Sequence, residues 1–210
     1  MEAGLNRVEA DELTYGLHIL IRTELEIDLI EGGLPAEDIP TEWNKRYGEL
    51  LGIKPSNDSE GCLQDVHWSE GAFGYFPSYL LGHLISAQIS SQMERDIGLI
   101  DDLIQNGEYQ KIIFWLRNNV HKYGRSVNSM ELIRTVTKEE LSPNYFINHL
   151  KSKINDFCWN ITFKEFGWVW GCKINKNYFL MANLNQPPSR VTPNLLHILN
   201  AFTDSSNTII

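Results

Sequence analysis

VEADELTYGLHILIRTELEIDLIE, residues 8–31, settles the fold class. Ala10, Leu13, Leu17, Leu20, Ile21, Leu25 and Leu29 recur at steps of three and four, which lines them up along one side of an α-helix. Gly32-Gly33 followed by Pro35 ends the run. The spacing predicts one long amphipathic helix from Val8 to Glu31. His18, inside the apolar run, reads as a satisfied core histidine, and Glu24, Glu26, Asp28 and Glu31 read as a solvated acidic face.

Outward from that helix the same period returns. Trp43 to Leu51 forms a shorter helix, with Thr41 as its N-cap after Pro40 and Gly52 as its stop. Residues from Pro55 to about Pro77 show no helical period, and Gly61, Gly71 and Gly74 permit turns there. Helical spacing resumes from Tyr79 toward Leu103 and ends at Asn106-Gly107. Glu108 to Tyr123 follows with Ile112, Ile113, Leu116 and Val120 on one face and Gly124 as its stop. Met130 to Val136 and Pro143 to Phe157 complete the set, the last with Ser142 as N-cap and Pro143 at the first helical position. The first 157 residues therefore read as all-α, without a repeat that would indicate a solenoid.

At Cys158 the character changes. Residues 158–210 hold three of the six tryptophans, eight asparagines and no sustained period, and carry a charge of +2, against -11 for residues 1–157. The expectation is a chain in two parts, 1–157 and a divergent tail, 158–210, that is disordered or of frameshift origin. The 210 residues suffice for one domain, and a net charge of -9 with pI near 5.1 argues against broad attraction to nucleic acid or anionic membrane. Three scattered cysteines make no disulfide framework or CxxC site. No apolar run reaches membrane-spanning length, and the N-terminus lacks the marks of a secretory signal, so a cytoplasmic location is expected.

The loop GCLQDVHWSEGAFGYFPSYLLGH, residues 61–83, holds the most distinctive chemistry. Gln64, Asp65, His67, Tyr75 and Tyr79 alternate there with Trp68, Phe73 and Phe76. Polar groups between apolar walls suit a place where a ligand meets the chain with water excluded. The same residues also suit an ordinary core beneath a structural loop.

Three ordered motifs shift the balance between these readings. Arg7-Val8-Glu9-Ala10-Asp11 resembles IRxxAD, Gly61 to Trp68 matches GxxQDxHW at every fixed position, and Gly74 to Tyr79 resembles GYFPT with Ser78 for threonine. Together they resemble the Taq-type zinc metallocarboxypeptidases, over roughly the first three quarters of the chain. The resemblance implies the C-terminal helical part of a HExxH-type metallopeptidase fold, acting on peptides with a free C-terminus. It implies that Tyr75 donates to the tetrahedral oxyanion and His67 holds a substrate carbonyl. It further implies that Arg7 grips the terminal carboxylate, a task suited to a guanidinium fork that stays charged. An ion pair with Glu9, Asp11 or a more distant acidic residue is the structural alternative for Arg7. Gln64 and Tyr79 join the substrate-binding set, and Asp65 is expected behind His67, accepting from its ring.

Two departures stand beside the matches. Asn6 replaces the usual aliphatic residue before the motif arginine, a polar change that bears on packing around Arg7. The histidines, at 18, 67, 83, 121, 149 and 197, include no pair four residues apart, so the sequence contains no HExxH and no metal ligand set is assigned. Zinc is implied by resemblance alone, along with a partner segment bearing HExxH and a homodimer. Two functions follow as expectations. The first is part of a metallocarboxypeptidase, inactive alone; the second is a non-catalytic helical interaction protein or degenerate remnant. A first helix with part of its apolar face bare is expected to aggregate or to seek a partner.

Overall fold

Asp11 decides where the first long helix starts. Its Oδ1 accepts from the backbone N–H groups of Leu13 and Thr14, both at 2.9 Å, and so satisfies two donors that a helix leaves open at its N-terminus. The computed structural model describes residues 3–164, those from 155 onward by their backbone. In it α1 runs Glu12–Ile30, starting at Glu12 rather than at Val8. Arg7–Glu9 instead makes one 3-10 turn, and Asn6 caps it by accepting from the Val8 N–H at 3.0 Å. The polar residue before the motif arginine thus has a local partner.

The described residues divide into two compact units, 3–76 and 77–164. In the first, α1 packs against α2, Ile39–Leu50. Pro40 lies in the first turn of α2, where its missing N–H breaks no helical bond. Asp38 rather than Thr41 holds the cap position, and its side chain makes no capping bond. Leu17, Ile21, Leu25, Trp43, Tyr47, Leu51 and Cys62 form the core. Removing side chains of this size from water stabilises by roughly 1.5–3 kcal/mol each. The turns of α1 from Gly16 to Thr23 are buried on every side, so the middle of the helix is enclosed rather than amphipathic. Exposed apolar side chains nearby are Val8, Ile27 and Ile30.

In the second unit α3, Pro77–Ile97, packs against α5, Tyr109–Asn119, α6, Ser129–Thr137, and α7, Asn144–Lys164. The single helix expected from Tyr79 toward Leu103 is broken: Gly98 adopts φ +95°, a conformation that L side chains resist, and α4 starts afresh at Ile100–Gln105. The helix expected to reach Tyr123 closes at Asn119 and gives way to a 3-10 turn, His121–Tyr123. Asn128 caps α6 by accepting from the Glu131 N–H at 2.9 Å. α7 starts at Asn144, so Pro143 rather than Ser142 precedes its first residue, and the Ser142 hydroxyl accepts from the Asn144 N–H at 3.3 Å. Ile89, Met93, Trp115 and Ile133 form the core of this unit. Buried Gln88 donates to Thr137 Oγ1 and the Glu140 carbonyl, both at 3.0 Å, and accepts from the Ser142 N–H at 2.9 Å, tying α3 to the connection between α6 and α7.

Every regular element among the described residues is helical, in agreement with the all-α reading. None of these helices is long and apolar enough to cross a membrane. Of the tail expected from 158, the backbone to Lys164 continues α7, and the remainder lies outside the described residues.

Candidate active site

Asp65 is the centre of the first unit's polar chemistry. Its Oδ1 accepts from Arg7 Nε at 3.1 Å and Nη2 at 2.7 Å, and its Oδ2 accepts from Arg22 Nε at 2.6 Å. One carboxylate thus holds two guanidiniums, each a charge-assisted contact. Burial alone would push the Asp65 carboxyl up, but the hydrogen bonds and charges of Arg7 and Arg22 outweigh it and hold Asp65 below the usual carboxylate range. Burial alone would likewise lower the Arg7 guanidinium, and Asp65, with Tyr15 behind it, raises it instead. Of the partners open to Arg7 from the sequence, the distant acid is the one it takes.

Around this clamp the remaining polar groups are committed in turn. Arg22, fully buried, donates through Nη1 to the His18 carbonyl at 2.8 Å and through Nη2 to Gln64 Oε1 at 2.8 Å, and it lies over the Trp43 ring. Gln64 Oε1 also accepts from the Arg7 backbone N–H at 3.0 Å, while Nε2 donates to the carbonyls of Leu5 and Glu60 at 3.1 and 2.9 Å. Gln64 therefore latches the loop to the N-terminal segment and to α1. Both its amide oxygen and its amide nitrogen are engaged by protein partners. His18 is enclosed as expected but only half satisfied: its Nδ1 lies 3.0 Å from the Tyr47 hydroxyl, while its Nε2 has no hydrogen-bond partner. Burial, assisted by the charge of Arg22, lowers His18 to about 4, so it is neutral at ordinary pH.

The loop from Val66 to Tyr75 places two rings beside this cluster. It is closed on itself by the Ala72 N–H donating to the His67 carbonyl at 2.8 Å and the Gly71 N–H donating to the Trp68 carbonyl at 3.1 Å. Gly74, at φ +74°, turns the chain so that Tyr75 stands half exposed while Phe76 is buried. The His67 ring lies 4.3 Å from that of Phe76 and 5.6 Å from that of Tyr75, centroid to centroid. The Arg7 guanidinium sits 5.7 Å from the Phe76 centroid. Arg7, Gln64, Asp65, His67 and Tyr75, scattered over three motifs, thus form one constellation. Tyr79 belongs to the first turn of α3 in the second unit.

Two sequence expectations change. Asp65 Oδ1 lies 3.9 Å from His67 Nδ1, outside hydrogen-bond range, because both carboxylate oxygens face the arginines. Glu26 is not on a solvated face: it is 4% exposed and its Oε1 accepts from the Trp68 indole at 3.0 Å. Glu24 and Asp28 both pair with Arg46 in part-buried contacts. Arg22, Tyr47 and Glu26 join the site without a motif to mark them. A signal for two of them, Arg22 and Glu26, is nevertheless present in the sequence, since Thr14, His18, Arg22 and Glu26 stand at four-residue steps and form a buried polar stripe along α1.

The site's donor set does not fit a metal ion. Asp65 is occupied by two cations, and no group of three metal-ligating side chains occurs among the described residues.

A family model described as Carboxypeptidase Taq (M32) metallopeptidase matches residues 1–154. Carboxypeptidase 1 of Bacillus subtilis is 45% identical over 150 residues, which cover 71% of this chain and 30% of that protein. Thermostable carboxypeptidase 1 of Thermus thermophilus is 42% identical over 153 residues, 73% of this chain and 30% of that protein. The solved structure of Trypanosoma cruzi metallocarboxypeptidase 1 matches with a TM-score of 0.71 and 42% identity, over 74% of this chain and 33% of the other. The chain thus spans about 30% of the length of the curated relatives it matches.

Proposed function

The chain belongs to the carboxypeptidase Taq family of metallopeptidases, and from that premise we propose that residues 3–76 form the substrate-facing half of a cytoplasmic, zinc-dependent carboxypeptidase site. The observation that carries this reading is the convergence of the three motifs: Arg7 on Asp65 at 2.7 Å, with the His67 and Tyr75 rings 5.6 Å apart in the same unit.

In this reading Arg7 binds the terminal carboxylate of a peptide. Asp65 holds its guanidinium plane in place, so the fork is oriented before the substrate arrives and little side-chain entropy is lost on binding. His67 donates to a carbonyl of the substrate, and the half-exposed Tyr75 hydroxyl donates to the oxygen on which negative charge develops. Loss of one such donor lowers the rate by about 10² to 10³. Amide hydrolysis also needs an activated water and a base, and these residues supply neither. A segment bearing HExxH, joined to or assembled with this one, would supply both; the chain alone has no appreciable peptidase activity.

Two measurements test the proposal. An N-acyl dipeptide with a free carboxylate is expected to bind the chain, its C-terminal amide is not, and Arg7→Ala abolishes the binding. Equal binding of acid and amide, or an Arg7→Ala variant that binds as before, refutes the grip. Co-expression with a HExxH-bearing N-terminal segment of a relative is expected to restore zinc-dependent release of C-terminal amino acids, and Tyr75→Phe to slow it by the factor given above. A second reading, a non-catalytic helical protein in which the motif residues persist as packing, is favoured by how completely Asp65 occupies Arg7 Nε and Nη2. It predicts that Arg7→Ala alters stability and leaves ligand binding unchanged.

A further inference from the structure

Glu26 is the one buried carboxyl on the polar stripe of α1, and the arginine cluster makes no use of it. It is 4% exposed, and its Oε1 accepts from Trp68 Nε1 at 3.0 Å. Its Oε2 is buried with no hydrogen-bond partner, so the Trp68 indole is the group this carboxyl holds. Trp68 follows His67 directly and opens the loop that leads to Tyr75. That loop is pinned to itself by the bonds from Ala72 to His67 and from Gly71 to Trp68, so a displacement of Trp68 is passed along it. The Trp68 ring is further fixed edge-on against Trp43 of α2 and against Phe76, each at 6.1 Å. A carboxyl is costly to bury, and a glutamine or an apolar residue would cost less, so a specific task is needed to account for it.

From this geometry we propose that Glu26 is the positioning residue of the site, a single carboxyl on α1 that sets where His67 stands, and through the pinned loop Tyr75, by holding the Trp68 indole. The inference rests on reading His67 and Tyr75 as the substrate-facing pair. Glu26 touches no substrate; it acts through Trp68. Where Arg22 of the same stripe reaches Asp65 and Gln64, Glu26 reaches the loop itself.

The test uses the full chain labelled with 15N in its indoles and 13C in its histidine and tyrosine rings. In Glu26→Leu the Trp68 indole signal is expected to move upfield and to exchange faster with water, and the ring signals of His67 and Tyr75 to shift, while the amides of α1 keep their protection. Affinity for the free-carboxylate dipeptide is expected to fall about tenfold, the loss of one buried hydrogen bond. Glu26→Gln, whose amide oxygen still accepts from the indole, is expected to retain the ring signals and to stay within about twofold in affinity. A folded Glu26→Leu variant with unmoved His67 and Tyr75 signals overturns the proposal. If that variant does not fold, Trp68→Phe removes the indole donor while keeping an aromatic ring; shifted His67 and Tyr75 signals support the tether and unchanged ones overturn it. A wild-type chain that fails to bind the dipeptide refutes the substrate reading, and the ring signals then still decide for or against Glu26.

Discussion

In residues 3–76 the buried polar side chains are Arg7, Thr14, His18, Arg22, Thr23 and Glu26; among the described residues of the second unit they are Gln88 and Thr137. Both units are made of helices around an aromatic and aliphatic core, and both use tryptophan indoles as donors, Trp68 to Glu26 and Trp115 to Asp96. The difference lies in what each encloses. Gln88 and Thr137 close hydrogen bonds that a chain reversal would otherwise leave open, which is a structural task fully explained within the unit. Two buried arginines and a buried glutamate, with the part-buried Asp65, stabilise less than aliphatic side chains of the same volume would. A core that departs this far from the usual rules is what the proposed function would account for.

The largest expected effect breaks or sharpens that contrast directly. Asp65→Ala strands Arg7 and Arg22 in a buried site and is expected to destabilise by about 3–5 kcal/mol. Ile133→Ala, at a fully buried aliphatic position of the second unit, is expected to cost about 2–5 kcal/mol through the cavity it leaves. Size alone does not separate the two, but pH does. The folded-state pKa of Asp65 is depressed, so its stabilisation is complete above the ordinary carboxylate range and is lost as pH falls through the lowered folded value. Urea denaturation at about pH 7 and about pH 3 should therefore show the Asp65→Ala cost shrinking in acid while the Ile133→Ala cost stays constant. Two costs with the same pH dependence would remove the distinction between the units.

The next effect is the acid limb itself. His18 is neutral in the folded protein down to about 4, whereas an unperturbed histidine takes up its proton near 6.5. Between those values the unfolded chain binds the extra proton, so stability is full above about 6.5 and declines as pH falls toward 4, by about 3 kcal/mol in all. The groups around His18 are Tyr47, Arg22, Arg7 and Asp65, and the two arginines work against its protonation. His18→Gln is expected to flatten the dependence of Tm on pH over that window and to leave the high-pH plateau in place apart from a constant offset. Glu26 acts in the opposite sense: burial raises its carboxyl despite the Trp68 bond, so its contribution falls as pH rises through that raised value. Glu26→Gln should remove that decline, and an unaltered profile in both variants would mean that neither group titrates differently on folding.

Much of this architecture is legible in the sequence. Helix order follows from three- and four-residue steps and from glycine stops, because an apolar face and a terminator are local properties of the chain. Where expectation and fold part, a local signal is outranked. Leu99, Ile100 and Leu103 continue the apolar period past Gly98, and the positive φ of one glycine ends the helix nonetheless. Val8 and Ala10 extend the period of α1 upstream, but Asp11 caps the helix and leaves them outside it. For the site, the three motifs point to Arg7, Gln64, His67 and Tyr75, and the fold brings these into one unit. The motifs do not show that Asp65 turns from His67 to two arginines, because Arg22 and Asp65 are 43 residues apart and their pairing is a tertiary fact. The acidic cluster of α1 misleads in the same way: charge predicts solvent for Glu24 and Asp28, and burial overrides it for Glu26. The four-residue step from Thr14 to Glu26 is the sign that separates them.

The smallest effect gives the finest test, because it holds the chemistry constant. Asp11 and Asn128 both cap a helix through one side-chain oxygen, the first at α1 and the second at α6. Alanine at either position is expected to cost about 1 kcal/mol. On stability alone the units should be indistinguishable. They should differ in what the loss disturbs, since α1 carries His18, Arg22 and Glu26 on its buried stripe, and fraying of its first turn reaches Thr14 and Tyr15, the latter a contact of Arg7. Asp11→Ala is therefore expected to shift the ring signals of His67 and Tyr75 and the indole signal of Trp68, and Asn128→Ala to leave all three in place at an equal drop in Tm. If Asn128→Ala moved them as much, the polar order of the first unit would depend on global stability rather than on the helix that carries it, and the contrast between the two cores would lose its functional meaning.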